Sequence, residues 1–136
     1  MTQEELITLP KIELHCHLDG SLSREFIEKR LGREVSQKEL SVSDDCSSLA
    51  EYLEKFTLPG QCIMDETGLE EAGYDVLRGM SRENVCYAEI RFAPLLSVTD
   101  EMDCKKVIEA LLKGLERGRD DFGIEFGVIT CAMRHH

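Results

Sequence analysis

Three short runs rich in β-branched and aromatic residues, at 12–17, 85–92 and 124–131, are separated by stretches with helical periodicity, and that alternation leaves few folds open. Leu22, Phe26, Ile27 and Leu31 form one apolar stripe, closed by Gly32. Leu49, Tyr52, Leu53 and Phe56 form a second behind a Ser48-to-Glu51 capping box, and Leu69, Ala72, Val76, Leu77 and Met80 form a third. The fourth begins near Asp100 and carries Val107, Ile108, Leu111, Leu112 and Leu115, the strongest helical period in the chain. Strands separated by whole helices cannot be joined by hairpins. They pair in parallel through crossovers, so the expected class is α/β. Residues 33–48 are polar and read as a loop with one short helical turn at a second capping box, Ser36 to Glu39.

At 136 residues the chain has room for one domain with a real core. Its 27 acidic against 16 basic side chains give a formal charge of -11, which repels phosphate backbones and anionic membranes; no nucleic-acid polymer and no membrane is expected as a partner. The opening MTQEELITLP has neither a basic nor an apolar leader segment, and no run approaches the roughly 18 apolar residues of a membrane span. A cytoplasmic location is the expectation. Six cysteines are scattered without a C-x-x-C pair, and Cys16, Cys86 and Cys131 fall inside apolar strand patterns. They read as buried, reduced thiols acting as small hydrophobes.

In a parallel α/β fold the chemistry gathers where the strands end at their carboxyl edges. H-L-D-G-S, R-F-A-P-L and M-R-H-H follow the three strands, and all are more polar or turn-forming than the strand bodies. Within I-E-L-H-C-H-L-D-G-S, strand alternation sends His15, His17 and Asp19 to one face and Leu14, Cys16 and Leu18 to the other. Two imidazoles at i and i+2 can share one divalent cation, and the same pattern also fits an ordinary hydrogen-bonded pair at a sheet edge. Gly20 then permits a tight turn or the close approach of a ligand. A catalytic zinc site takes about three protein ligands, and only two candidates are local.

L-P-K-I-E-L-H-C-H-L-D-G-S-L resembles the opening strand of the adenosine deaminase family, within the amidohydrolase superfamily of metal-dependent hydrolases. L-A-E-Y-L-E-K-F at 49–56 resembles that family's helix beside the pocket mouth, C-Y-A-E-I-R-F-A-P-L-L at 86–96 its second-strand motif, and I-T-C-A-M-R-H-H at 129–136 its third-strand ending. All four occur in the family's order over nearly the whole chain. The resemblance implies zinc-dependent hydrolytic deamination at C6 of adenosine, giving inosine and ammonia, with one Zn2+ held partly by His15 and His17. It implies that Asp19, with Gly20, holds the ribose end of a small purine nucleoside, and that Leu49, Tyr52 and Phe56 form an apolar gate over the base. From spacing alone those three also fit a stripe packed into the core. Arg91 reads as a supporting residue engaged in a peripheral ion pair. His135 fits the family pattern and His136 is ambiguous; neither is assigned to zinc.

The resembled family places a further histidine ligand, an H-A-G-E glutamate, another histidine and a late aspartate later in the chain, and none of these motifs occurs here. No catalytic residue is therefore assigned within this chain. A (β/α)₈ barrel takes about 250 residues and eight strands, against three here. Residues 1–136 accordingly read as the N-terminal portion of a single deaminase barrel domain, an incomplete (β/α)₈ TIM-type barrel that is inactive alone. Its open sheet edge is expected to associate, or to be met by the absent C-terminal part. Two other readings stand beside this one: a non-catalytic remnant or interaction module, and a related deaminase acting on adenine or a modified adenine nucleoside.

Overall fold

A computed structural model describes residues 2–134. The order is α1 (Gln3–Thr8), β1 (Lys11–His17), α2 (Arg24–Leu31), α3 (Gln37–Leu40), α4 (Leu49–Glu54), α5 (Thr57–Gln61), α6 (Glu66–Arg82), β2 (Val85–Phe92), a 3₁₀ turn (Pro94–Ser97), α7 (Cys104–Phe122) and β3 (Glu125–Thr130). The three strands form one parallel sheet in the order β1-β2-β3, as the alternation predicts. The second strand spans the expected residues and the third is one residue shorter at each end, because Gly123 closes α7 in the left-handed region at φ 70°. The fourth helix starts at Cys104, not near Asp100: Asp103 caps it by accepting from the Lys106 N–H, and Thr99 and Met102 pair their backbones in a turn before it. The short helix α1 was not anticipated, although its Thr2-to-Glu5 capping box is legible as T-x-x-E.

β2 divides the molecule into two sides. Ala88, Ile90 and Phe92 are buried, and they alternate with the half-buried Tyr87, Glu89 and Arg91 on the opposite face. The buried set joins Leu69, Ala72, Val76 and Leu77 of α6 and Val107, Leu111 and Leu115 of α7 in one core. The two long helices nest closely because glycine lies at their contact. A Cβ added at Gly114 would sit 1.9 Å from the Glu70 carbonyl oxygen, and one at Gly73 would sit 2.9 Å from that of Leu111.

The expected alternation of β1 holds only for its second half. Cys16 and Leu18 are buried, whereas Leu14 is 60% exposed and Ile12 is 63% exposed. The reason is a slip in register: three steps along β1 from Glu13 to Cys16 match two along β2 from Ala88 to Ile90, so upstream side chains lose phase with the core face. The cysteines also divide. All six thiols are free, but only Cys16 and Cys62 are buried, and burial pushes both thiols up. Cys86 is exposed, its thiol reaching the Lys11 carbonyl at the sheet edge, so the buried reading fails there.

Two contacts fix the segment after β1. Leu18 N–H donates to the Arg91 carbonyl at 2.9 Å, continuing the β1–β2 pairing past the strand. Ser23 caps α2 by accepting from Phe26 N–H, while its own N–H and hydroxyl donate to the buried Asp75 of α6 at 2.8 and 2.7 Å. Asp75 also accepts from Arg78 at 2.9 Å, so its charge is compensated. Residues 18–23 are thereby tied to the sheet at one end and to the helix layer at the other.

Gly114→Ala is expected to lower stability by roughly 1–3 kcal/mol in urea denaturation, the clash outweighing the intrinsic helix gain. Gly79→Ala, in α6 with open space around the added carbon, is expected to raise it by about 0.4–1 kcal/mol. Equal effects at the two sites would count against the close helix packing. A second expectation concerns the α3 capping box. The Ser36 N–H, then the Arg33 guanidinium and the Ser36 hydroxyl, hold the Glu39 carboxyl at a pKa of about 2. Its folded value lies below the ordinary 4.5, so the cap is at full strength above pH 4.5 and is lost as pH falls through about 2. An NMR titration should show the Glu39 side chain and the Ser36 amide moving together near that lower value; a shared midpoint near 4.5 would rule the cap out.

Candidate active site

The carboxyl ends of all three strands meet at one cleft of about 610 Å³. His17, Asp19, Gly20 and Ser21 line it after β1; Arg91, Phe92, Ala93 and Leu96 line it after β2; Cys131, Ala132 and Met133 line it after β3. Tyr52, Leu53 and Phe56 close one side from the α4 region. The Tyr52 and Phe56 rings meet edge to face with centroids 5.4 Å apart, which stiffens that wall. The α4 stripe is not core. None of the helix is buried, Tyr52 and Leu53 face the cleft, and Leu49, at 72% exposure, lies outside the cleft lining. Of the expected gate residues, the fold therefore brings Tyr52 and Phe56 to the cleft and leaves Leu49 apart from it. Leu53, three residues before Phe56 and on the same stripe, takes a place that sequence reading did not assign.

Gly20 sits in tight approach to a neighbour within the chain. A Cβ there would lie 3.2 Å from Phe56 Cε1, so the absent side chain lets the aromatic wall approach the backbone. Asp19, also partly buried, borders both this cleft and a second one of about 440 Å³ that continues toward Arg24, Ser41 and Lys55.

The two strand-one histidines converge. Their rings stack with centroids 5.1 Å apart and planes 21° from parallel, and their Nε2 atoms are 3.1 Å apart. Two imidazole nitrogens bound to one tetrahedral zinc at ~2.0–2.1 Å stand roughly 3.3 Å apart, so this pair fits a shared divalent cation. The His15 backbone N–H donates to the Glu13 carboxylate at 2.9 Å. Both rings are exposed on the face of the sheet opposite the helices. Among the described residues no group of three or more His, Cys, Asp or Glu is arranged to hold a metal ion, and two imidazoles alone would fill only part of a coordination shell. His135 and His136 lie outside the described residues.

Arg91 departs from the expected ion pair. Its Nη1 lies 3.3 Å from His15 Nε2 and its Nε donates to Cys131 Sγ at 3.3 Å, and among the described residues it has no carboxylate partner. The Cys131 thiol itself donates to the Phe92 carbonyl at 3.2 Å. Sequence reading could not place Cys131 in this contact, since it depends on register between β2 and β3 and on no local pattern.

The family model described as adenosine deaminase matches residues 10–136. An adenosine deaminase of Clostridium perfringens is 40% identical over 141 residues, covering 96% of this chain and 42% of its own length. An Arabidopsis N6-mAMP deaminase superposes with a TM-score of 0.76 at 27% identity, covering 98% of this chain and 44% of its own. A Burkholderia ambifaria amidohydrolase crystallised with bound zinc superposes with a TM-score of 0.74 at 20% identity, covering 96% of this chain and 38% of its own. The chain thus spans less than half the length of these relatives, and its three strands correspond to the first part of their barrel fold.

Proposed function

The chain belongs to the adenosine deaminase family, and from that membership we propose that it forms the N-terminal part, residues 1–136, of a barrel that hydrolyses adenosine to inosine and ammonia with the help of a divalent metal. The observation that carries this reading is the 3.1 Å convergence of His15 and His17 Nε2 at the carboxyl end of β1, beside the cleft. These two residues would hold the metal, zinc by its match to an imidazole pair, together with ligands from the remainder of the barrel. What a metal bound there would supply is a water activated as nucleophile.

The chain's own residues bind and orient. Asp19 accepts hydrogen bonds from the sugar hydroxyls, and Gly20 leaves room for the Phe56 ring that, with Tyr52, covers the base and excludes water. Leu49, away from the cleft lining, has at most a part in the outer mouth. Nucleoside is preferred over nucleotide because a carboxylate at Asp19 opposes a phosphate group, and because a named adenosine deaminase is 40% identical against 27% for the N6-mAMP deaminase. Among the described residues no helix is long and apolar enough to cross a membrane. The exposed face of the sheet and its free edges are where the remainder of the barrel associates. Alone, the chain has no turnover.

The test uses a chimera in which this chain replaces the matching segment of the Clostridium perfringens relative. Inosine formation is expected from the zinc-loaded chimera and not from the 136-residue chain, and His17→Ala should lower the chimera's rate at least about 100-fold. A folded, zinc-loaded chimera without activity would sink the proposal, as would full activity after His17→Ala.

A further inference from the structure

Arg91 occupies the same lone pair that a metal would use. A guanidinium only donates, so the His15 Nε2 that it meets at 3.3 Å must be an acceptor, with the His15 proton on Nδ1. The 3.1 Å contact between the two Nε2 atoms then has one consistent assignment: His17 donates from Nε2 into that same lone pair. Two donors aim at one acceptor, and one of them carries a permanent positive charge. Arg91 is held there through its Nε on Cys131 Sγ at 3.3 Å, while backbone pairing of His17 with Arg91 and of Arg91 with Ile129 fixes the Cα positions.

We propose that Arg91 is a positioning residue that guards the metal-binding nitrogen of His15: its guanidinium competes with a divalent cation for Nε2. The inference rests on the reading of His15 and His17 as metal ligands. A cation at the paired nitrogens and a guanidinium in hydrogen-bond contact with one of them are like charges competing for one site, so Arg91 lowers metal affinity and fixes the imidazole tautomer. The residue sets how readily the site loads and takes no part in bond making.

The experiment measures zinc binding to the 136-residue chain by competition with a chromophoric chelator, alongside long-range ¹H–¹⁵N NMR of the imidazoles without metal. Arg91→Met is expected to bind zinc on the order of tenfold more tightly than the unsubstituted chain. Arg91→Lys keeps the charge but loses the forked reach, and should fall between the two. Without metal, His15 should carry its proton on Nδ1, and Arg91→Met should remove that bias. Equal or weaker zinc affinity in a folded Arg91→Met, or a His15 proton on Nε2 in the unsubstituted chain, would overturn the guarding role while leaving the metal site standing. Zinc binding that is absent, or unchanged by His15→Ala and His17→Ala, would instead overturn the histidine site and the guarding role with it. Should Arg91→Met fail to fold by circular dichroism, Arg91→Lys and the tautomer measurement decide the matter.

Discussion

The whole arrangement hangs on the two-sidedness of β2. As the central strand of a parallel sheet it pairs on both edges, so its residue parity is imposed on its neighbours. Ala88, Ile90 and Phe92 are driven under the helix layer by burial of apolar area, the largest favourable contribution available to a chain of this size. That choice leaves Tyr87, Glu89 and Arg91 on the other face with no freedom to change sides. Arg91 therefore stands beside His17 on one neighbour and across from Ile129 on the other because of what Ile90 buries.

The helix layer makes this parity rigid. Glycines at the α6–α7 contact let backbone meet backbone, so the two helices lie close enough to cover a sheet of only three strands. The buried Asp75 then couples α6 to the start of α2 through Ser23, and with that the loop bearing Asp19 and Gly20 is placed against the α4 region. Core packing and cleft geometry are linked through a few short contacts.

Much of this was legible in the sequence, for physical reasons that differ by element. VCYAEIRF is a short run rich in β-branched and aromatic residues, and its limits follow from that content, while the two long amphipathic helices declare themselves by their period. The convergence of strand ends followed from the parallel topology, and the pairing of His15 with His17 from their spacing. What was not legible depended on register and on distant contacts. The slip in β1 that exposes Ile12 and Leu14 has no local signature, since both look like core residues. Leu49 shares a stripe with Tyr52 and Phe56 but sits at the exposed start of a six-residue helix, outside the cleft lining. Arg91 looked like half of an ion pair because sequence shows charge and conceals which neighbour the sheet will bring to it.

The slip in β1 also separates two kinds of hereditary risk within a single strand. Between Lys11 and Ile12 the partner strand runs one residue ahead, and between Glu13 and Cys16 β1 recovers that residue, so the two irregularities cancel by His17. The strand end bearing His17 is therefore back on the register that pairs Cys16 with Ile90 and His17 with Arg91. Substitutions at Ile12 or Leu14 can accumulate, drift and revert without re-aiming the imidazoles, whereas an insertion or deletion between Glu13 and Cys16 turns the polar face inward in one step. Point changes are forgiven there and changes of length are not.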